Sequence, residues 1–222
     1  FNQLELDNVI SSLTKIGSNS SMIYKKNIEV YYENQIALGL ATRLNFFANE
    51  TYPTAGNVFN IEGSNSSVNK FKTSGVEFTL KYSHLYQDVK GTFYDKSDVS
   101  NSFRKYPDIA FKYIYSDQSN FNSDFSYQKL KLSLRQQLRL SKIGFLKYYL
   151  EFGKTIGTVP YTHLDIPYGN QQVLLDDYAY NLMGFLEFVA DQYFSLHVEH
   201  HFDGLLLDRF PLVNTLKCRS FL

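Results

Sequence analysis

The sequence predicts an all-β fold, an antiparallel transmembrane β-barrel with about 8–10 strands in this chain and long external loops. Three observations support this prediction: apolar and polar residues alternate in about eight segments, no segment sustains a helical period, and short connections contrast with long polar ones. A period of two places successive side chains on opposite faces of a strand. Strands of outer-membrane barrels alternate in this way and therefore never look hydrophobic on average.

The predicted strands differ in how clearly they alternate. The clearest are Val76–Ser83, Lys129–Leu140 and Leu146–Gly153, each with one apolar and one polar row. In the second of these, only Gln136 interrupts the apolar row. Weaker alternation predicts strands at Ile28–Tyr32, Ile36–Phe46, Ile109–Tyr115, Leu182–Ala190 and Phe194–Phe202, and a ninth after Pro211.

The connections between these strands are unequal in length. Short turns are predicted near Glu33–Gln35, Ser141–Lys142 and Asp191–Gln192, and long polar loops at Asn49–Lys72 and Thr155–Asn181. In an up-and-down order the short turns fall at one end and these long loops at the other, as in outer-membrane barrels. The long stretch Gln87–Tyr106 departs from the pattern, because its order in the chain assigns it to the short-turn end.

Aromatic residues are predicted near the strand ends, where an aromatic girdle would lie. They are Tyr31, Tyr32, Phe46, Phe47, Tyr148, Tyr149, Tyr193 and Phe194. The absence of tryptophan weighs against a girdle. A soluble antiparallel barrel or sandwich would alternate as well, so alternation alone leaves both architectures open.

Composition excludes several classes of protein. The 222 residues have a formal net charge of +0, so no basic excess indicates a nucleic-acid partner. The length predicts a single domain, 1–222. Cys218 is the only cysteine, which rules out an internal disulfide, and it has no neighbours at metal-ligand spacing. No run of 18 apolar residues predicts a transmembrane helix.

One short stretch contains the residue types of a metal site. His197, Glu199 and His201 share a face of the predicted strand, whereas His200 points to the other face. Three such side chains could bind zinc. The alternative is a polar row inside a barrel, in which they bond to their neighbours. The helical HExxH motif of zinc hydrolases is absent.

No motif for catalysis or cofactor binding is present, so the sequence predicts neither an enzyme nor a cofactor. The carboxylates Asp165, Asp176 and Asp177 lie in the long loop after Thr155. They lack the alternating ligands and the glycine of a calcium loop. We therefore expect these side chains to be solvated.

The C-terminal part of the chain resembles a known family. The run GKTIGTVPYTHLDIPYGNQ, Gly153–Gln171, and the segment Asp176–Arg219 resemble the C-terminal barrel of a Bacteroidetes outer-membrane family of unknown function. Members of that family carry an N-terminal carboxypeptidase-regulatory-like domain. The principal matching positions are Gly157, Pro160, Gly169, Asn170, Glu187, Asp191, His200, Gly204, Pro211 and Arg219.

The resemblance implies an outer-membrane location, with membrane lipid as a partner and other envelope proteins as further candidates. It also implies that this chain is an internal piece of the barrel, and that the loop around Tyr168–Asn170 folds over or into the pore. The family barrel is similar to those that insert or secrete proteins, which carry an Arg-Gly-Phe element in a lumenal loop. No arginine lies between Thr155 and Asn181, which puts a translocase role in doubt.

The expected role is therefore transport, translocation or envelope organisation, with no substrate specified. One alternative is a soluble β-barrel metal-binding protein or hydrolase that uses His197, Glu199 and His201. Another is a purely structural or adhesive surface protein.

Overall fold

The computed structural model shows an antiparallel sheet of long strands. It describes residues 23–53, 59–60, 67–83, 106–165, 183, 188–203 and 220–221. The strands are β1 Ile23–Ala37, β2 Leu40–Pro53, β3 Phe59–Asn60, β4 Ser67–Val68, β5 Phe71–Tyr82, β6 Asp108–Ser116, β7 Tyr127–Arg139, β8 Phe145–Gly157, β9 Gln192–Asp203 and β10 Ser220–Phe221. The described helical segments are the four-residue α1, Gln118–Phe121, and two 3₁₀ turns, Ser141–Ile143 and Tyr161–His163.

The main sheet has eight strands in the order β1-β2-β5-β6-β7-β8-β9-β10, and β3 and β4 form a separate pair. All neighbours in the main sheet are antiparallel. The prediction of an all-β antiparallel fold is confirmed. Within the described residues the sheet is open, with β1 at one edge. No helix in that part of the chain is long and apolar enough to cross a membrane.

One face of the sheet is a continuous apolar surface. Leu80, Phe111, Leu132, Phe152 and Phe194 are register partners across β5, β6, β7, β8 and β9, so their side chains lie on the same face. This face is open to the surroundings: Leu132 is 46% exposed and Phe194 is 68% exposed. Exposure of this kind extends to β1, where Ile28, Val30, Tyr32 and Ile36 are all more than 60% exposed.

The opposite face is polar, and several of its side chains are buried. Buried polar residues on this face include Asn45, Asn49, Thr51, Thr73, Thr79, Ser133 and Thr155, whereas the buried hydrophobic residues in the described ranges are Ala41, Phe71 and Tyr127. Ion pairs cross the same face between neighbouring strands, for example Lys112–Glu77 at 3.0 Å and Arg135–Asp108 at 3.6 Å. The sheet therefore has one exposed apolar face and one polar face on which several side chains are buried, a polarity opposite to the usual burial of apolar residues.

The predicted strand Ile36–Phe46 begins too early, because the chain turns at Leu38 and Gly39 and β2 starts at Leu40. The predicted turn near Glu33–Gln35 instead lies inside β1. Gly39 has a φ of 79°, a conformation that glycine adopts readily. A register shift between Gln35 and Ala37 accompanies the turn. Apolar residues keep the same parity on both sides of this hairpin, so the alternation continues through the turn and conceals it.

The predicted strand Leu182–Ala190 is not formed where the structure describes it. Met183, Phe188 and Val189 lie outside strands, and Ala190 forms an isolated bridge with Asp165. The edge of β8 is taken by β9 instead. The predicted turn at Asp191–Gln192 is therefore wrong, because Gln192 begins β9. Alternation in sequence does not reveal which segment pairs with β8.

One predicted turn agrees with the structure. The turn at Ser141–Lys142 joins β7 to β8 through a 3₁₀ turn. It closes at Gly144, whose φ is 99° and whose Cα lies so close to the His201 carbonyl that a Cβ would collide with it. The end of β5 and the start of β6 lie at the same end of the sheet as this turn, as the sequence order predicted. After Pro211, the described strand is Ser220–Phe221.

The predicted positions of the aromatic residues are partly wrong. Tyr31 and Tyr32 lie near the middle of β1, and Phe46 and Phe47 lie in the middle of β2, because both strands are longer than their alternating segments indicate. Tyrosines occur at other strand ends: Tyr24, Tyr52, Tyr82 and Tyr115. Tyr24 and Tyr52 contact each other with ring centroids 6.0 Å apart.

Candidate functional site

A segment that follows β8 folds over the polar face of the sheet. We call residues 158–165 the strap. The strap contains a 3₁₀ turn in which the His163 amide donates to the Pro160 carbonyl at 2.9 Å. At its end, Asp165 and Ala190 exchange two backbone hydrogen bonds of 3.0 Å. The Thr155 amide also donates to the Asp191 carbonyl at 2.6 Å. The described parts of the connection between β8 and β9 are therefore joined to each other.

The strap is anchored to β7 by a carboxylate between two lysines. Oδ1 of Asp165 lies 2.8 Å from Nζ of Lys129 and 2.7 Å from Nζ of Lys131. We call Lys129 and Lys131 the lysine clamp. Lys129 also donates to the His163 carbonyl at 3.0 Å. The side chains of Asp165 and Lys129 are 6% and 13% exposed. Their ion pair is therefore shielded from solvent, and the attraction between the two charges is stronger than in a surface pair.

The expectation that Asp165 is solvated is therefore wrong. Lys129 and Lys131 are two residues apart, so the period of the strand places both ammonium groups on the polar face. Their combined charge stabilises a buried carboxylate. Asp176 and Asp177 lie outside the described residues.

His163 is the second anchor of the strap. Its ring packs edge-on between Phe71 and Tyr127, each with a centroid distance of 5.7 Å. Its Nε2 lies 3.2 Å from Oγ1 of Thr73. Burial, together with the charges of Lys25 and Lys129, lowers the pKa of His163 to about 4. The imidazole is thus neutral at pH 7, and Asp165 carries the only charge of the strap.

The low pKa of His163 makes docking of the strap dependent on pH. A released histidine has a pKa of about 6.5, so the released strap binds more protons between pH 6.5 and pH 4. Docking is therefore at full strength above pH 6.5 and weakens as the pH falls towards 4, by at most about 3 kcal/mol. Hydrogen exchange at the Asp165 and Ala190 amides, corrected for intrinsic rates, measures this change.

The variant His163→Gln serves as the control for this prediction. Glutamine does not titrate, and the other acids and bases titrate in both proteins. The variant should therefore show a smaller loss of protection between pH 6.5 and pH 4. An identical pH profile in both proteins would contradict the role assigned to His163.

The metal-site candidates lie on the polar face, and His200 lies on the opposite face, as the alternation predicted. Glu199 is paired with Lys147 at 3.3 Å and with His201. His201 stacks on Phe145 with a centroid distance of 4.2 Å. The ring of His197 lies against Tyr149. In the described part of the chain, no group of three or more His, Cys, Asp or Glu side chains is placed to hold a metal ion.

A tyrosine and a glutamate connect this polar face with the lysine clamp. The ring of Tyr193 lies over Gly153, where a Cβ would collide with it. The Tyr193 hydroxyl donates to Glu151, which also accepts from Tyr149. Nζ of Lys131 lies 5.5 Å from the centroid of the Tyr193 ring. Side chains of β7, β8 and β9 thus form one polar network beside the strap.

Four of the family-motif positions lie in the described residues. Gly157 ends β8 with a φ of 110°, and a Cβ there would lie 2.5 Å from the Ser126 carbonyl. Pro160 and Asp191 provide carbonyl acceptors to the strap and to β8, and His200 contacts Phe202 edge-on at 4.2 Å. Outside the described residues lie Gly169, Asn170, Glu187, Gly204, Pro211 and Arg219, together with the predicted loop Tyr168–Asn170.

Sequence reasoning missed the site formed by the lysine clamp, Thr73, His163 and Asp165. The paired lysines of β7 were visible as part of an alternating polar row, but nothing local shows which acid faces them. Asp165 is 34 residues from Lys131 in the chain. Their contact follows from the fold of the β8–β9 connection, which a two-residue period does not encode.

The comparisons with known proteins identify a family. The sequence matches the C-terminal domain of a family of unknown function (DUF5686) over residues 15–222. No curated protein and no solved structure gives a significant match.

Proposed function

The chain belongs to this family of unknown function, and we propose that it forms part of an integral β-barrel of the bacterial outer membrane. In this proposal its long strands cross the membrane, and the apolar face contacts lipid. The polar face lines the interior of the barrel. The role of the protein is transport or translocation through the envelope, or organisation of the envelope together with other envelope proteins.

The observation that carries this proposal is the inverted polarity of the sheet. Leu132, Phe152 and Phe194 are register partners and are each more than 40% exposed. A contiguous apolar surface of this extent is unusual on a monomer in water, where patches rarely exceed a few hundred Å². Lipid chains solvate such a surface, while backbone groups remain paired within the sheet.

The polar face supports the assignment of an interior. Ion pairs such as Lys112–Glu77 and Lys147–Glu199 join neighbouring strands on this face. Charged groups in these positions face water or other polar groups in a barrel and avoid lipid. The strap lies over this same face, so it would narrow the interior of the barrel.

Extraction of the full-length protein from cells tests the proposal. We expect it to sediment with outer membranes, to require detergent for extraction, and to migrate differently on gels with and without heating. In planar bilayers, a transport role predicts conductance, whereas a purely structural role predicts none. A protein that remains soluble without detergent and shows no heat-dependent mobility would overturn the proposal.

A further inference from the structure

Two ammonium groups converge on a single oxygen beneath the strap. Nζ of Lys129 and Nζ of Lys131 both lie within 2.8 Å of Oδ1 of Asp165. The second oxygen, Oδ2, is buried and has no hydrogen-bond partner among the described residues. The carboxylate thus fills a site with two cationic donors and leaves one of its own acceptors unsatisfied, which is unfavourable in a buried position.

Among the described residues that form ion pairs around Asp165, positive charges outnumber negative charges. Among the residues that the structure describes, Lys129 and Lys131 form ion pairs with one carboxylate, that of Asp165. The nearby acid Glu151 accepts from the hydroxyls of Tyr149 and Tyr193. The neighbouring pair Lys112–Glu77 is balanced. Counted over the described residues, the clamp and Asp165 together carry one more positive than negative charge, and the clamp without Asp165 carries two positive charges.

The carboxylate reaches the clamp from a connection and not from a strand. Asp165 is held by two backbone hydrogen bonds to Ala190 and by the contacts of His163. Lys129 and Lys131, in contrast, are fixed by continuous pairing of β7 with β6 and β8. Movement of the strap would remove the anion and leave both cations in their places on the polar face.

We propose that the lysine clamp is a binding site for a soluble small molecule that carries a phosphate or carboxylate group. Asp165 occupies this site as an internal competitor while the strap is docked. A phosphate or dicarboxylate offers more oxygens to the two ammonium groups than Asp165 uses, and its binding releases the strap. The inference adds a ligand class and a mode of regulation to the proposed function, and rests on it only for the route by which the ligand arrives.

Phosphate binding to the full-length protein in detergent tests this site. Titration calorimetry with inorganic phosphate, and in parallel with succinate, is carried out at constant ionic strength. Asp165→Asn removes the internal competitor and should tighten binding about tenfold or more, because the apparent affinity scales with the fraction of open clamps. Adding Lys131→Gln to this variant should abolish the gain. Asp108→Asn, which removes an acid paired with Arg135 on the same face, is the matched control and should leave binding unchanged.

A second measurement uses the wild-type protein and does not depend on folding of the variants. Phosphate should speed hydrogen exchange at the Asp165 and Ala190 amides more than chloride does at equal ionic strength. Equal effects of the two salts, or no tighter binding by a folded Asp165→Asn variant, would overturn the inference and make Asp165 a structural anchor only. Neither result bears on membrane insertion, which extraction and heat-dependent mobility report separately.

Discussion

The proposed membrane barrel predicts that Leu196→Arg prevents its assembly in the outer membrane, whereas the same substitution at the next residue, His197→Arg, is tolerated. Leu196 lies near the middle of β9 on the apolar face and is 50% exposed. An arginine on the lipid face costs about 2–4 kcal/mol near the centre of the bilayer. His197 lies on the polar face, where a cation finds water and polar partners.

Water and lipid around the apolar face predict different results for Leu196→Arg. On a half-exposed surface in water, replacing leucine by arginine changes stability by only about 0.5 kcal/mol or less. In lipid the same change is among the most damaging available. The fraction of each variant that shows heat-dependent mobility in outer-membrane preparations measures assembly. Equal assembly of Leu196→Arg and wild type would show that this face does not contact lipid.

Asp165→Asn will release the strap from the polar face. The substitution removes the counter-charge of two neighbouring ammonium groups, of which Lys129 is only 13% exposed. Removing one partner of a buried ion pair costs about 3–5 kcal/mol. Because Lys131 is one third exposed and solvent screens part of its charge, we expect the lower end of this range.

Hydrogen exchange measures this release directly. A loss of about 3 kcal/mol raises the exchange rate of the Asp165 and Ala190 amides about a hundredfold. Amides of β7 and β8 should keep their protection, which separates release of the strap from unfolding of the sheet. Asp108→Asn again provides a control on the same face and should leave the strap docked. Unchanged exchange in Asp165→Asn would show that His163 and the backbone bonds hold the strap without the ion pair.

The sequence predicted the faces of the strands better than their boundaries. The period of two assigned the apolar row of β9 and its polar row, His197, Glu199 and His201, to the correct faces. This succeeded because side-chain direction in a strand is a local property of the backbone. The first hairpin was predicted, but its turn was placed at Glu33–Gln35 instead of Gly39, because the alternation continues through the true turn.

Long-range features could not be predicted from the same pattern. The pairing of β9 with β8 depends on competition between segments for one strand edge. The burial of Asp165 depends on the path of the connection between these strands. Both are tertiary properties, and neither leaves a signature in the local order of residues.

The turn at Gly144 bears on whether β7 and β8 can pair out of alignment during folding. This turn fixes the alignment of β7 with β8, and a slip of one residue moves every side chain of a strand to the other face. In β7, such a slip would place Lys129, Lys131, Arg135 and Arg139 among the apolar residues. The exposed apolar face thus depends on correct pairing and not on an apolar composition, since the mean hydropathy of the chain is −0.28. In the proposed membrane barrel, insertion into a lipid bilayer would therefore select for the correctly aligned sheet, because a misaligned β7 would expose charged side chains to lipid.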